Sequence, residues 1–106
     1  MSPHPGEVYL VDLGMVGKVR PAVIVSREDP DSPRAICTFV PITSHGRGSR
    51  YEVSLGKLRF LREPKSWANV QALASLGHEK LLRSLGRVST EQLDSIRNAL
   101  RFALDL

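Results

Sequence analysis

The sequence holds a single cysteine, Cys37, among 106 residues. A lone thiol forms no intrachain disulfide, so the chain is not a small secreted scaffold stapled by cystines, and a reducing compartment suits it. Cys37 lies in the apolar stretch Ala35 to Val40 with no activating neighbour in sequence, which reads as a buried, inert thiol. Metal and cofactor motifs are missing as well: there is no CxxC, HExxH, Walker loop or GxGxxG. The three histidines, His4, His45 and His78, are far apart and match no metal-ligand spacing, so neither a metal nor an organic cofactor is expected. A hydrolytic triad stays open, because its members need not adjoin in sequence. Aromatic residues make up 6% of the chain, too few for an extended base-stacking surface of the single-strand-binding type. The N-terminal Met1-Ser-Pro-His-Pro5 lacks an apolar signal region, and no apolar run is long enough to span a bilayer. The expectation is a cytoplasmic protein that does not engage a membrane.

What is present suits one soluble domain over residues 1–106, with 42% hydrophobic and 25% charged residues and no repeat or low-complexity segment. Residues 1–5 read as a flexible tail, because Pro3 and Pro5 remove backbone donors and resist helix. The net charge of +4 and a pI near 9.7 favour polyanionic partners. Mild basicity is common among small proteins, so it points to nucleic acid only beside other signals.

Hydrophobic patterning predicts about six short strands and one helix. Glu7 to Leu13 nearly alternates and is rich in β-formers. Arg20 to Ser26 is an almost continuous apolar run, a strand buried on both faces, with Pro21 at its first turn of pairing or at an edge. Ala35 to Ile42, Arg50 to Leu55 (an edge), Ser66 to Leu73 and Ser84 to Val88 read as further strands, with a helical turn over Gly77 to Leu82. A short Gly-containing loop at Gly14 to Val19 and polar segments at Arg27 to Arg34 and Thr43 to Ser49 separate the first four strands. The last element is a helix. Ser89 and Gln92 form a capping box, and Leu93, Ile96, Leu100, Ala103 and Leu104 make one apolar face. Short strands between turn signals imply a mainly β (α+β) fold, an antiparallel sheet curled into a small barrel with the C-terminal helix over an open side.

Two loop ends carry the chemistry. One ends at Arg20; the other runs Thr43-Ser44-His45-Gly46-Arg47-Gly48-Ser49-Arg50. In a curled sheet they meet at one rim, which would carry Lys18, Arg20, Arg47 and Arg50 with the hydroxyls of Thr43, Ser44 and Ser49. Guanidinium forks and hydroxyls suit a phosphodiester. Each residue has a plainer reading. Loop arginines are usually solvated, Arg20 beside an apolar run is as suited to a structural ion pair, and Thr43 would serve as a turn residue. His45 is an exposed bystander or a proton carrier. Trp67 suits the core or a subunit interface better than a base-stacking platform.

Four segments in order resemble the MazF, PemK and Kid toxin family. Gly6 to Leu13 is similar to the opening G-[DE]-[VI]-[YW]-x-[VA]-[DN]-[LF], and Arg20 to Ser26 to the strand R-P-[VA]-[VL]-[VI]-[VI]-[SQ]. Val40-Pro-Ile-Thr-Ser44 resembles the turn [VA]-P-[IVC]-T-[ST], and Leu85-Gly-Arg-Val-Ser89 the [LV]-G-[RK]-L-[ST] that precedes the helix. The resemblance implies an SH3-like barrel and a homodimeric toxin of a type II toxin–antitoxin system. It implies metal-independent cleavage of single-stranded RNA by attack of the ribose 2′-OH, leaving 2′,3′-cyclic phosphate and 5′-OH ends. It places the catalytic arginine on Arg20, as proton carrier and phosphate stabiliser, and the catalytic threonine on Thr43. RNA binding would fall to Lys18, Ser44, His45, Arg47, Ser49, Arg50 and Gln71. A cognate antitoxin with an acidic, partly disordered tail is the implied protein partner.

The chain also departs from the family pattern. The Gly14 to Val19 loop is short and lacks the glutamate that many members carry before the arginine. Where many read D-Q-[IP]-R-T, this chain has Gln71, Ala72 and Ala74 at the acid, glutamine and arginine positions. Arg47 to Val53 resembles a short-loop branch with R-G-S-R-[FY]-E-V, in which Arg47 and Arg50 would replace the missing arginine. Two alternatives stand beside the ribonuclease: a noncatalytic RNA-binding barrel, and a CcdB-like gyrase inhibitor. The ending Phe102-Ala-Leu-Asp-Leu106 does not match the latter.

Overall fold

A computed structural model describes residues 2–14 and 18–106. Seven strands and one helix follow in order: β1 (Glu7–Asp12), β2 (Val19–Ile24), β3 (Ile36–Thr43), β4 (Glu52–Gly56), β5 (Ser66–Asn69), β6 (Ala74–Gly77), β7 (Leu81–Arg87) and α1 (Thr90–Leu104). All pairings are antiparallel, in the order β4-β5-β3-β2-β1-β7, with β6 also on β3. The sheet curls without closing, so the barrel expected from the strand pattern is an open one. Half of the loop read over Gly14 to Val19, residues 15–17, lies outside the described residues.

Strand β3 is the spine. Its C-terminal Ile42 and Thr43 pair with β5, and its N-terminal Ile36 to Phe39 pair with β6 along the same edge. A 3-10 turn, Val70–Ala72, separates the two partners. The Asn69 side chain accepts the Gln71 N–H at 3.1 Å and starts that turn. The single strand expected over Ser66 to Leu73 therefore ends at Asn69, and a seventh strand follows it. The expected helical turn is a 3-10 turn at His78–Lys80, and the last strand begins at Leu81 instead of Ser84.

Both faces of the central strands are buried, as the apolar run of β2 predicts. Val8, Val23, Val40 and Ile42 face one cluster, closed by Leu93, Ala99, Leu100 and Ala103 around fully buried Ile96 of α1. Tyr9, Val11, Ala22, Ile24, Cys37 and Phe39 face the other, covered by Leu13, Ala74, Leu76 and Leu81. Pro21 pairs with Leu10 of β1 and sits one residue before the β2–β3 pairing begins at Ala22, at the end of that ladder.

The capping box forms: Ser89 N–H donates to Gln92 Oε1 at 2.9 Å, and Gln92 N–H to Ser89 Oγ at 3.1 Å. The Gln92 amide also donates to the Leu55 carbonyl at 3.1 Å, tying α1 to β4. Leu104, placed on the apolar face by spacing, is 51% exposed, because the helix end passes the edge of the core. At the other terminus Ser2 to Pro5 has no regular structure, yet it packs on the body. Pro3 is buried, the His4 N–H donates to Glu7 Oε1, and the His4 ring lies 2.8 Å from Glu28.

Candidate active site

The β2–β3 pairs run Ala22 to Pro41 and Ile24 to Phe39. Continuing that register by two residues sets Arg20 opposite Thr43, where both strands reach the rim. The Thr43 hydroxyl accepts the His45 N–H at 3.1 Å, which folds the chain over as it leaves β3. A hydroxyl that accepts in this way keeps its own hydrogen free to donate outward. Ser44 Oγ and His45 Nδ1 share a hydrogen bond of 3.1 Å. Arg20 is exposed. Among the described residues no carboxylate lies within ion-pair distance of it, so its charge stays in water and available to a ligand.

Beyond Thr43 the chain is held by two neighbours. The Trp67 indole, on β5, lies over Gly46 where a side chain would project. Glu52, at the start of β4, accepts the Arg47 N–H at 2.9 Å, the Ser49 N–H at 3.0 Å and the Ser49 hydroxyl at 3.2 Å, all on Oε1. The Ser49 and Arg47 N–H groups hold the Glu52 carboxyl below the usual carboxylate range, because they stabilise its charged form.

These constraints shape an open cavity of about 450 Å³. Thr43, His45, Arg47 and Ser49 line it from one side, Tyr51 and Glu52 from the start of β4, and Asn69 and Gln71 from the turn after β5. A smaller hollow of about 80 Å³ adjoins the same rim and is lined by Arg20, Pro21, Ile42, Ser44, Leu61, Glu63 and Ser66. Guanidinium groups and hydroxyl donors thus flank the end of β3 on both sides, an arrangement able to grip a phosphodiester and to stabilise added negative charge on it. Among the described residues no group of three or more His, Cys, Asp or Glu could hold a metal ion.

The sequence model of the family described as PemK-like, MazF-like toxin of type II toxin-antitoxin system matches residues 4–104. The chain belongs to this toxin family. It is similar to Endoribonuclease MazF9 of Mycobacterium tuberculosis (strain ATCC 25618 / H37Rv), with 31% identity over 95% of each chain. Among solved structures it is similar to an endoribonuclease from Mycobacterial species (28% identity, TM-score 0.83, covering 100% of this chain and 94% of that one). It is also similar to an endoribonuclease in complex with its cognate antitoxin, again from Mycobacterial species (30% identity, TM-score 0.84, covering 99% and 97%). The family and fold implied by the four sequence segments are therefore those found.

In this PemK-like, MazF-like chain the expected site residues divide. Thr43, His45, Arg47, Ser49 and Gln71 share the larger cavity, while Arg20 and Ser44 line the smaller hollow. Arg50 is not with them. Its guanidinium lies 3.8 Å from the centre of the Phe102 ring, a cation–π contact with α1, and Phe102 in turn lies 5.2 Å from Tyr51. Lys18 lines neither cavity; its carbonyl accepts the Leu13 N–H across the base of the first loop. Sequence reading passed over Glu52, Tyr51 and Asn69 as cavity residues. A signal for the first was present: Ser49 and Glu52 have the S-x-x-E spacing of a capping box, and one half of it forms here without a helix, the Ser49 N–H on Glu52 Oε1, while the Ser49 hydroxyl accepts the Tyr51 N–H instead of that of Glu52. No helix of the described residues is long and apolar enough to cross a membrane.

Proposed function

We propose that this toxin is a metal-independent endoribonuclease that cuts single-stranded RNA at the rim between Arg20 and Thr43. The observation that carries the proposal is the Thr43 hydroxyl: its oxygen accepts the His45 N–H, it donates to no group among the described residues, and the β2–β3 register, continued by two residues, sets it opposite a solvated arginine. The ribose 2′-oxygen attacks the adjacent phosphorus and gives up its proton to solvent water at the exposed rim, the P–O5′ bond breaks, and the 5′-oxygen takes up a proton from solvent as it leaves. The products are a 2′,3′-cyclic phosphate and a 5′-OH. Negative charge grows on the non-bridging oxygens along the way. Arg20 neutralises it, and Thr43 donates a hydrogen bond that strengthens as the charge grows. Arginine holds its proton tightly, so charge stabilisation suits Arg20 better than proton transfer. Arg47, Ser49, His45 and Gln71 bind flanking nucleotides in the larger cavity, and Ser44 lies beside Arg20.

The working unit is the whole chain as one domain, in a cytoplasmic homodimer. Its restraint is a cognate antitoxin whose acidic, partly disordered tail covers the basic rim and folds on binding. Support comes from the net charge of +4 and from the similarity to a structure solved with its antitoxin.

The test is cleavage of a long single-stranded RNA in EDTA by wild type, Arg20→Ala and Thr43→Ala. Discrete cuts with cyclic-phosphate ends are expected from wild type, with each variant reduced by about 10²- to 10³-fold, the loss typical of one removed transition-state donor. RNA bound but uncut by wild type would overturn the enzyme in favour of a noncatalytic RNA-binding barrel.

A further inference from the structure

A carboxylate beside a polyanion-binding rim opposes binding by repulsion, so Glu52 needs an offsetting role there. The geometry supplies one. Gly48 has φ +71, a left-handed conformation that turns the N–H groups on either side of it, those of Arg47 and Ser49, toward one point. That point is Glu52 Oε1, which also accepts the Ser49 hydroxyl. Ser49 is bound back in turn: its hydroxyl accepts the Tyr51 N–H at 3.2 Å and its carbonyl accepts the Glu52 N–H at 3.2 Å. One carboxylate oxygen thus gathers the segment that carries Arg47.

We propose that Glu52 is the positioning residue of the RNA-facing loop, fixing residues 47–49 so that Arg47 and Ser49 line the cavity beside Thr43. The inference rests on the ribonuclease reading and deepens it. Glu52 exchanges no proton with RNA and bonds to no reacting atom. It lowers the ordering cost that a phosphate would otherwise meet on binding a loose loop.

The experiment compares the full-length wild type with Glu52→Gln and Glu52→Ala in two assays. The first is steady-state cleavage of a single-stranded RNA. Loss of the loop anchor should raise KM about ten-fold in the alanine variant with a smaller change in kcat, the size expected for lost charge-assisted bonds. The glutamine variant, which keeps an acceptor oxygen, should fall between alanine and wild type. Lower KM in both variants would show that Glu52 acts only as a repulsive charge. A fall in kcat that glutamine does not relieve, with KM unchanged, would show a chemical role. Either result overturns the proposal.

The second assay needs no RNA. The amide proton resonances of Arg47 and Ser49 should shift together in wild type as acid protonates Glu52, and Glu52→Gln should abolish that shift. Resonances indifferent to acid and to the substitution would overturn the proposal by themselves. A protein that cuts no RNA but shows the coupled amides would overturn the ribonuclease reading and leave the loop anchor supported.

Discussion

Replacing Gly46 by alanine adds one carbon and two hydrogens, yet it should disable the site. A Cβ at position 46 would come within 2.6 Å of Trp67 Cγ and closer still to two other indole atoms, whereas ordinary contact begins at 3.4 Å. The atoms met are Cγ, Cδ2 and Cε2, at the root and fusion of the ring and not at the far end of a flexible side chain. Trp67 is paired on one side with Thr43 of β3 and on the other with Ser54 of β4, so its backbone is fixed by the sheet. The loop must then move by about 1 Å to restore contact distance. Overpacking of this kind costs about 1–3 kcal/mol of stability. For a domain of this size each kcal/mol lowers Tm by about 4–8 °C. The displacement begins two or three residues from Thr43 and carries His45 and Arg47 with it. A 1 Å misplacement of binding groups costs about 10²-fold in rate, so kcat/KM for RNA cleavage should fall by about that factor. Thermal melting and cleavage measured on the same preparation test both figures. Trp67→Leu in the Gly46→Ala background removes the obstructing ring and should restore part of the loss, a coupling that a double-mutant cycle isolates. Wild-type melting and cleavage in Gly46→Ala would refute the claim that the indole sets the loop, and so would a double variant no better than the sum of its parts.

Three further outcomes follow from the core and the titrating groups. Ile96 is fully buried between α1 and the sheet, and Ile96→Ala should cost about 2–5 kcal/mol in urea unfolding, with a small loss refuting its place in the core. Burial pushes the Cys37 thiol up and leaves it 2% exposed, so a disulfide reagent should react slowly with the native protein and quickly in denaturant; rapid native reaction would contradict the packing. The Glu52 carboxyl is lowered by its N–H donors, so its contribution to stability is fully present above the unfolded carboxyl range and is lost as pH falls through the lower native value. The stability difference between wild type and Glu52→Gln should therefore hold steady through neutral pH and shrink only in acid; a difference that vanishes near neutrality would reverse the assigned sign.

Local signals with one physical meaning translated directly from sequence to fold. The S-x-x-Q box placed the start of α1 correctly, because Ser89 and Gln92 satisfy each other's backbone without outside help. The apolar run of β2 implied burial on both faces, and Ala22, Val23 and Ile24 alternate between the two clusters. The reading failed where a polar side chain redirected the backbone inside an apolar run. In Ser66 to Leu73 the pattern continues past Asn69, but its side chain captures the Gln71 N–H and turns the chain off the ladder. Hydrophobicity alone does not register that competition. The far end of α1 failed for another reason: spacing puts Leu104 on the apolar face, while the length of the sheet decides how far that face is covered.

The site shows the same division between charge and geometry. Read as composition, Arg47 to Arg50 is one basic patch, and both arginines belong to the rim. The backbone separates them. The Glu52 carboxylate turns the Arg47 segment toward Thr43, whereas Arg50, past Gly48 and Ser49, leaves on the other side and stacks on Phe102. That contact is not idle. Phe102 also touches Tyr51, which lines the cavity, so the last turn of α1 braces the same strand start that carries Glu52. The loop is therefore fixed by three contacts: Trp67 over Gly46, Glu52 on the Arg47 N–H, and Phe102 against Arg50 and Tyr51. A rim that works by placing charges and hydroxyls around a phosphate needs this rigidity more than it needs a further ionisable group, because a preorganised donor stabilises developing charge without first reorganising. The acid that matters most to such a rim is then the one that holds its loop, Glu52, whose spacing from Ser49 the sequence carries and whose bonds to Arg47 and Ser49 the fold makes.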